Sequence, residues 1–422
     1  MKFAHNLGDF ALAFEPEALS GKDLDEFYYK DTMPIRMGDD YVSPMNNIFI
    51  SCKQPKSQNA HLLLGHIGCG KSTELNELKR RFEADGYMVS VIRCVSEAAL
   101  PNIVDSDLLI LLGKHLCKIA EDAQCPLSES LLTKIEKFWK EIEIVETRNI
   151  DRNLGIKGKI SALFLGLSNE LRFGYAKRAT IRERVKNSAS EWVGYMNEVS
   201  GHITQHFYGK QPIVIFEDLG RLSAEKAWEI FDNNSLSQMS FPIIYTCPIS
   251  LSYYPKFRGL DASYNTPTLP MIKIRDLNRN PFSAGIDTIK AIVKKRADLS
   301  LFDEDALSLL IDKTGGVLRD LFRCILQAAA RTEARKAEKI ELEDAQSATN
   351  QLRLSLTRLI ETKNYPLLKN IYEGGKYKSQ IEDKETLMEM IYGQIVLEYH
   401  NGKLWFDLHP LIEDYLREQG EV

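Results

Sequence analysis

Two short stretches of this chain carry side chains whose types and spacing could do chemistry together. The first is "GHIGCGKST", Gly65 to Thr73, with glycine at 65, 68 and 70, then Lys71, Ser72 and Thr73. It satisfies G-x-x-x-x-G-K-[ST] at every fixed position. In such a loop the glycines let backbone N–H groups turn inward around phosphates. Lys71 would reach the β- and γ-phosphates, and the Ser72 hydroxyl would sit on Mg²⁺. Gly65, His66, Ile67, Gly68, Cys69, Gly70, Lys71, Ser72 and Thr73 are therefore the expected binding set for ATP and its Mg²⁺. The second stretch is "PIVIFEDLGRL", Pro212 to Leu222, where Glu217 and Asp218 end a run of four apolar residues. Hydrolysis needs carboxylates to hold the cation's water shell and polarise the attacking water. Glu217 is expected on the metal side and Asp218 on the water side, an order that could be reversed.

Both stretches must be carried by buried strands. Leu62 to Leu64 is apolar, as is Ile213 to Phe216, and each suits a central strand of a parallel sheet. In open α/β sheets ligands gather at the carboxyl ends of the strands, where the loop and the two acids stand. After the loop, Leu75, Leu78 and Phe82 follow helical spacing, and Gly86 breaks the helix before a strand within Tyr87–Val95. Ala224–Phe231 reads as a helix. Ile243, Ile244 and Tyr245 form another buried strand with Thr246 at its end, and a fifth strand is expected around Pro270–Ile274. Residues 1–60 hold a helix in "GKDLDEFYYK" and an irregular stretch, "MPIRMGDDYVSPMNN".

Together "GHIGCGKSTEL" and "IVIFEDLGRL" resemble the AAA+ and STAND-like P-loop ATPases of bacteria, including KAP-type members with Asp-Asp-Leu-Asp-Arg-Leu after the strand. Glu217 stands where the first Asp would be and Gly220 where the third would be; Asp218, Leu219, Arg221 and Leu222 match. The resemblance implies roles for five further positions. Thr246 would sense the γ-phosphate, and Arg258 would be an arginine finger directed at a neighbouring subunit. Arg319, in "TGGVLRDLFR", would be the lid arginine on the phosphates. Tyr41 and Val42 would touch the adenine base.

The implied architecture is an α/β P-loop NTPase sheet with a large helical insertion, then an α-helical lid and a winged-helix domain. The expected divisions are a 1–60 extension packing on the nucleotide domain and a 61–280 core with a 96–210 insertion. A 281–350 lid and a 351–422 winged-helix-like domain follow. The last division rests on helices followed by "IVLEYHNGKLWFDLHP", two strands joined at Asn401-Gly402.

At 422 residues the chain is too long for one core, and 44% hydrophobic with 27% charged residues is a globular composition. No apolar run approaches the ~20 residues of a spanning helix, and the first residues do not read as a signal peptide. Seven cysteines without a CxxC pair fit a reducing cytoplasm rather than a zinc site or disulfide framework.

Net charge is −5, yet residues 151–186 carry nine bases against three acids. That run could meet nucleic acid or an acidic partner, and its Arg178, Arg182 and Arg184 could reach a neighbour's nucleotide. Residues 351–422 carry nine bases and twelve acids, which favours a protein-contacting or autoinhibitory domain over a DNA-reading one.

The leading expectation is an oligomerising ATPase switch coupled to a separate effector protein, in anti-phage defence or regulation. A DNA-loaded ATPase of initiator or transposition type is the alternative, and a small-molecule kinase comes third.

Overall fold

The computed structural model describes every residue except 31, 39–41, 55–57, 141–177, 375 and 401. Tyr41, Asn401 and most of the basic run therefore lie outside the described residues. The centre is a parallel sheet of four strands, β1 (Ala60–Gly65), β2 (Val89–Arg93), β3 (Ile213–Glu217) and β4 (Ile243–Pro248), in the order β1-β4-β3-β2. Strand side chains alternate between faces, and the core divides accordingly. Leu62, Leu64, Val214, Phe216, Ile243 and Tyr245 face the helices of the insertion. Leu63, Ile213, Ile215 and Ile244 face the helix Lys71–Ala84 and, beyond it, Tyr399 and Trp405 near the end of the chain. Both faces are covered, which is why these strands read as unbroken apolar runs.

The fifth strand is not where the sequence reading put it. Pro270–Ile274 forms no strand; instead Asn265 and Thr268 bridge to His61 and Leu64 of β1. Four backbone hydrogen bonds of 2.8–2.9 Å join residues 265–269 to β1. Pro267 and Pro270 lack an N–H, so this ribbon cannot make a continuous ladder.

The insertion contributes the helices Asp105–Asp122, Glu129–Lys140, Arg178–Asn187 and Ala189–His206. Trp192 packs against Gly113, where an added Cβ would come within 2.4 Å of the indole, and its Nε1 donates to the Leu109 carbonyl at 2.9 Å. The described end of the basic run is folded onto this bundle rather than presented outward. Arg182 pairs with Asp107 at 2.6 Å, Arg184 lies over the Phe138 ring at 4.8 Å, and Arg178 is buried. Those three arginines are engaged within their own chain, which removes the expectation that they reach a neighbour.

The expected irregular stretch after residue 30 contains two helices, Met33–Met37 and Pro44–Cys52, each with proline in its first turn, where a missing N–H costs nothing. Further on, the helices Ser283–Lys294, Glu304–Lys313, Leu318–Ala334 and Leu342–Thr357 build a second core. Phe10 and Phe14, from the first residues of the chain, are buried in that core against Phe302 and Phe322. The N-terminal segment thus packs on these helices as well as beside the sheet.

The helices Tyr365–Glu373 and Lys384–Tyr392 precede an antiparallel hairpin, β5 (Val396–His400) and β6 (Leu404–Leu408), and the helix Pro410–Glu418 follows it. No helix among the described residues is long and apolar enough to cross a membrane, and all seven cysteines are free and buried.

Candidate nucleotide site

β1 ends at Gly65, the loop curls over its carboxyl end, and the helix starting at Lys71 leads away. Gly68 has φ +79°, and an added Cβ there would lie 2.7 Å from Cβ of Arg319. Gly70 has φ +103°. Both positions need glycine, the first for close approach as well as backbone sign. Lys71 Nζ turns back into the loop and donates to the carbonyls of Gly65 at 2.6 Å and His66 at 2.8 Å. Burial lowers its pKa, a sign of a cation held in poorly hydrated surroundings.

Beside the loop, β3 delivers Glu217 and Asp218. Glu217 is buried, stands near enough to Ser72 to feel its hydroxyl, and has its pKa raised by burial. Its Oε1 has no hydrogen-bond partner. Asp218 adopts φ +73°, uncommon for a non-glycine residue, and this turn swings its carboxylate aside. Its Oδ2 accepts from the Val95 backbone N–H at 3.3 Å, and its Oδ1 lies 3.6 Å from Arg221. Thr246, at the same end of β4, is buried and donates to the Phe216 carbonyl at 3.2 Å.

A cleft of about 430 Å³ runs along these groups. Ile67, Gly68, Gly70, Lys71, Ser72, Thr73, Glu217, Asp218, Thr246 and Arg319 all line it. Gly65, His66 and Cys69 stand behind it. Cys69 Sγ lies toward the Leu269 carbonyl, and the His66 ring is turned to the C-terminal hairpin. Arg258 is exposed on the turn Phe257–Ala262, outside the cleft, and Val42 is 61% exposed and also outside it.

The far end of the cleft is built by residues the sequence reading did not select. Leu19, Phe27, Tyr28, Tyr29, Thr32, Arg36, Arg296 and Phe322 line it. Arg36 is 1% exposed, and its guanidinium donates to the Cys69 carbonyl at 2.9 Å and to that of Pro270. Arg296 lies over the Phe322 ring at 4.2 Å and donates to the Ala13 carbonyl at 2.9 Å. Burial lowers the Arg296 pKa to about 10. Glu74 accepts from Tyr28 Oη at 2.9 Å and Thr32 Oγ1 at 3.4 Å. Arginine at position 36 among apolar neighbours was the one signal available. A buried arginine requires acceptors, and here the carbonyls of Cys69 and Pro270, distant in sequence, supply them.

Six cations, Arg36, Lys71, Arg93, Arg221, Arg296 and Arg319, line the cleft against the carboxylates Glu17, Glu74, Glu217 and Asp218. Lys71 and Arg319 are both depressed, first by burial and then by like charges. A polyanion in the cleft would relieve that repulsion. The groups also fit Mg²⁺: a hydroxyl and a buried carboxylate with an unpartnered oxygen stand together. No cluster of three or more His, Cys, Asp or Glu suited to a metal occurs among the described residues. A hard cation held by one or two protein oxygens, phosphates and water needs no such cluster.

The loop is gripped from behind. Glu398 N donates to His66 Nε2 at 2.8 Å, Gln394 Nε2 to the Ile67 carbonyl at 2.8 Å, and Tyr399 Oη to the Gly315 carbonyl at 2.7 Å. His66 and His409 are both buried, and burial lowers each pKa from an ordinary 6.5 to about 3. The unfolded chain therefore binds more protons between these values. This contribution to stability is complete above pH 6.5 and is lost as pH falls toward 3. The expected loss by pH 5 is roughly 2 kcal/mol for each histidine. His409→Asn, which keeps an acceptor for the Leu411 N–H, should remove about half of the drop in urea midpoint between pH 7.5 and pH 5. An unchanged drop would exclude His409 as a source.

No protein-family model and no curated protein matches the chain. Among solved structures it is similar to the Walker-type ATPase paby2304 of Pyrococcus abyssi, at 13% identity over 96% of this chain and 99% of that one, TM-score 0.44. It is also similar to Cdc6p from Pyrobaculum aerophilum, at 12% identity over 97% and 98%, TM-score 0.40. A third is the Aeropyrum pernix ORC1 protein in complex with DNA, at 12% identity over 90% and 94%, TM-score 0.39. These likenesses are distant, and the residue assignments here rest on the geometry above.

Proposed function

We propose that this protein is an Mg²⁺-dependent ATPase of P-loop type that acts as a nucleotide-controlled switch. The observation that carries the reading is the meeting, in one cleft, of a phosphate loop, a carboxylate pair and a lid arginine. Ser72 and Glu217 would hold Mg²⁺, which neutralises charge between the β- and γ-phosphates. Lys71 and the loop N–H groups bind the phosphates, and Asp218 orients the attacking water and receives its proton. Arg319, on a helix whose start is tied to Gly68 by a backbone hydrogen bond of 3.4 Å, reports the phosphate to the lid. Thr246 braces the ends of β3 and β4 beside it.

Asp218→Asn is expected to lower kcat by about 10²–10⁴-fold while ATP affinity stays within a few-fold. Glu217→Gln should raise the Mg²⁺ concentration needed for half-maximal turnover. Phosphate release assays across a Mg²⁺ series, with nucleotide binding followed by calorimetry, check both. A protein that neither binds nor hydrolyses Mg²⁺-ATP would end this reading.

The divisions 1–60, 61–280, 281–350 and 351–422, the last as a winged-helix-like unit, belong to this proposal. Its partner is open to two extensions: a KAP- or STAND-like switch with an effector in defence or regulation, and a DNA-loaded ATPase of initiator type. Two of the three solved structures named above, a Cdc6 and an ORC1 protein, the latter in complex with DNA, fall on the side of the second. Duplex affinity falling steeply with salt would support it; affinity that is absent or salt-independent would leave the first. Homo-oligomer formation is read by mass photometry with and without ATP, and a role for Arg258 requires such a second copy.

A further inference from the structure

β2 has no strand beyond it among the described residues, and its last residue, Arg93, is in register with Glu217 of β3. The Arg93 side chain is 54% exposed and lines the same cleft as Lys71, Ser72 and Arg319. Its Nε stands 3.7 Å from Glu217 Oε2, too long for a hydrogen bond. Arg93 is thus loosely held, at the edge of the sheet, by the carboxylate at the end of β3. When Glu217 turns its charge to a divalent cation, the guanidinium loses its counter-ion and is repelled by that cation. The terminal phosphate that the cation would touch then offers it a new counter-ion.

We propose that Arg93 is a catalytic residue supplied in cis, its guanidinium passing from Glu217 to the terminal phosphoryl group of the bound nucleoside triphosphate. The inference rests on the ATPase reading and goes beyond it. In the step it serves, the water oxygen bonds to the γ-phosphorus while the bond to the β–γ bridging oxygen breaks. That bond's electron pair stays on the ADP β-phosphate, and the water's proton passes to Asp218 and then to the departing phosphate. Negative charge spreads over the equatorial γ-oxygens, which the planar fork of an arginine matches with two parallel N–H groups.

Two other arginines are less well placed. The Arg221 side chain is paired at 3.6 Å with Asp218, the group that receives the water's proton, whereas Arg93 pairs with Glu217. The Arg221 backbone carbonyl also accepts from Tyr392 Oη at 3.0 Å, fixing that turn. Arg258 lies outside the cleft altogether.

The test compares wild type with Arg93→Ala, Arg93→Lys and Arg258→Ala. Four quantities are measured: kcat, ATP affinity, affinity for Mg²⁺-ADP with aluminium fluoride, and specific activity over a hundred-fold dilution. Expected for Arg93→Ala is a loss of about 10³-fold in kcat with ATP affinity within threefold. The extra affinity for the fluoride complex over ADP should disappear. Arg93→Lys, whose charge cannot fork, should recover only a small part and also guards against a folding artefact. Wild-type specific activity should not change on dilution.

Arg93→Ala turning over within threefold of an active wild type would overturn the inference and leave the ATPase reading standing. So would activity that collapses on dilution together with an inactive Arg258→Ala, since the finger would then come from a second copy. A wild type without turnover would overturn both.

Discussion

Lys71→Ala is expected to abolish measurable turnover, with kcat reduced by at least about 10²–10³-fold. The residue is buried, and its ammonium is gathered by two loop carbonyls at 2.6 and 2.8 Å. Among the described residues no other side chain donates to those two carbonyls, and Arg36 is spent on the Cys69 and Pro270 carbonyls. Truncation removes charge where the β- and γ-phosphates would lie and leaves both carbonyls without their donor. Affinity should fall along with rate, which separates this variant from Asp218→Asn, where rate alone should fall. Measuring phosphate release and nucleotide affinity on the same preparation makes that distinction. Turnover within tenfold of wild type would mean that the cleft is not where ATP is cleaved.

The second large effect is on stability, at Gly316. Its φ is +83°, and a Cβ there would lie 1.9 Å from the backbone carbonyl oxygen of Ile272. Neither the peptide nor the turn can yield cheaply, because the neighbouring Gly315 is hemmed in too: a Cβ there would lie 2.8 Å from Leu397 and 2.9 Å from Pro410. Gly316→Ala should cost about 3–5 kcal/mol. The loss should appear in thermal melts as a fall of roughly 10 °C. Gly194 is the control. It is in the helix Ala189–His206 with nothing within 4 Å of an added Cβ, so alanine there should be neutral or stabilising by up to about 1 kcal/mol. Equal melts for Gly316→Ala and wild type would show that the turn can be rebuilt.

How much of this was legible in the sequence depends on how local each cause is. Leu62–Leu64 and Ile213–Phe216 announce buried strands because both faces of the sheet are covered, and helix Ala224–Phe231 falls where its periodicity puts it. The loop could be selected because fixed spacing encodes its geometry, Glu217 and Asp218 because they end an apolar run, and Arg319 through the resemblance; the structure brings Gly68, Gly70, Lys71, Ser72, Glu217, Asp218 and Arg319 to one cleft. The far end of the cleft was hidden. Tyr28, Arg36 and Arg296 meet only through folding that brings residues 16–36 against the helices of residues 283–334, and no short pattern records that. The shifted fifth ribbon was missed because an apolar run at Pro270–Ile274 outweighed two prolines that decide where a ladder can form. The insertion arginines looked like a charged face, yet Asp107 and Phe138, distant in sequence, absorb two of them.

The grip on the back of the phosphate loop has a consequence for how the molecule is born. Its donors, Gln394 and Glu398, lie 327 and 332 residues after the loop residues they hold. A ribosome adding about 5–20 residues per second needs roughly 20–60 s to traverse that distance. Throughout that time the nascent loop exists without its rear wall. Maturation of the cleft is therefore timed by the last part of the chain to be made, so a half-finished polypeptide carries the motif but not the finished device.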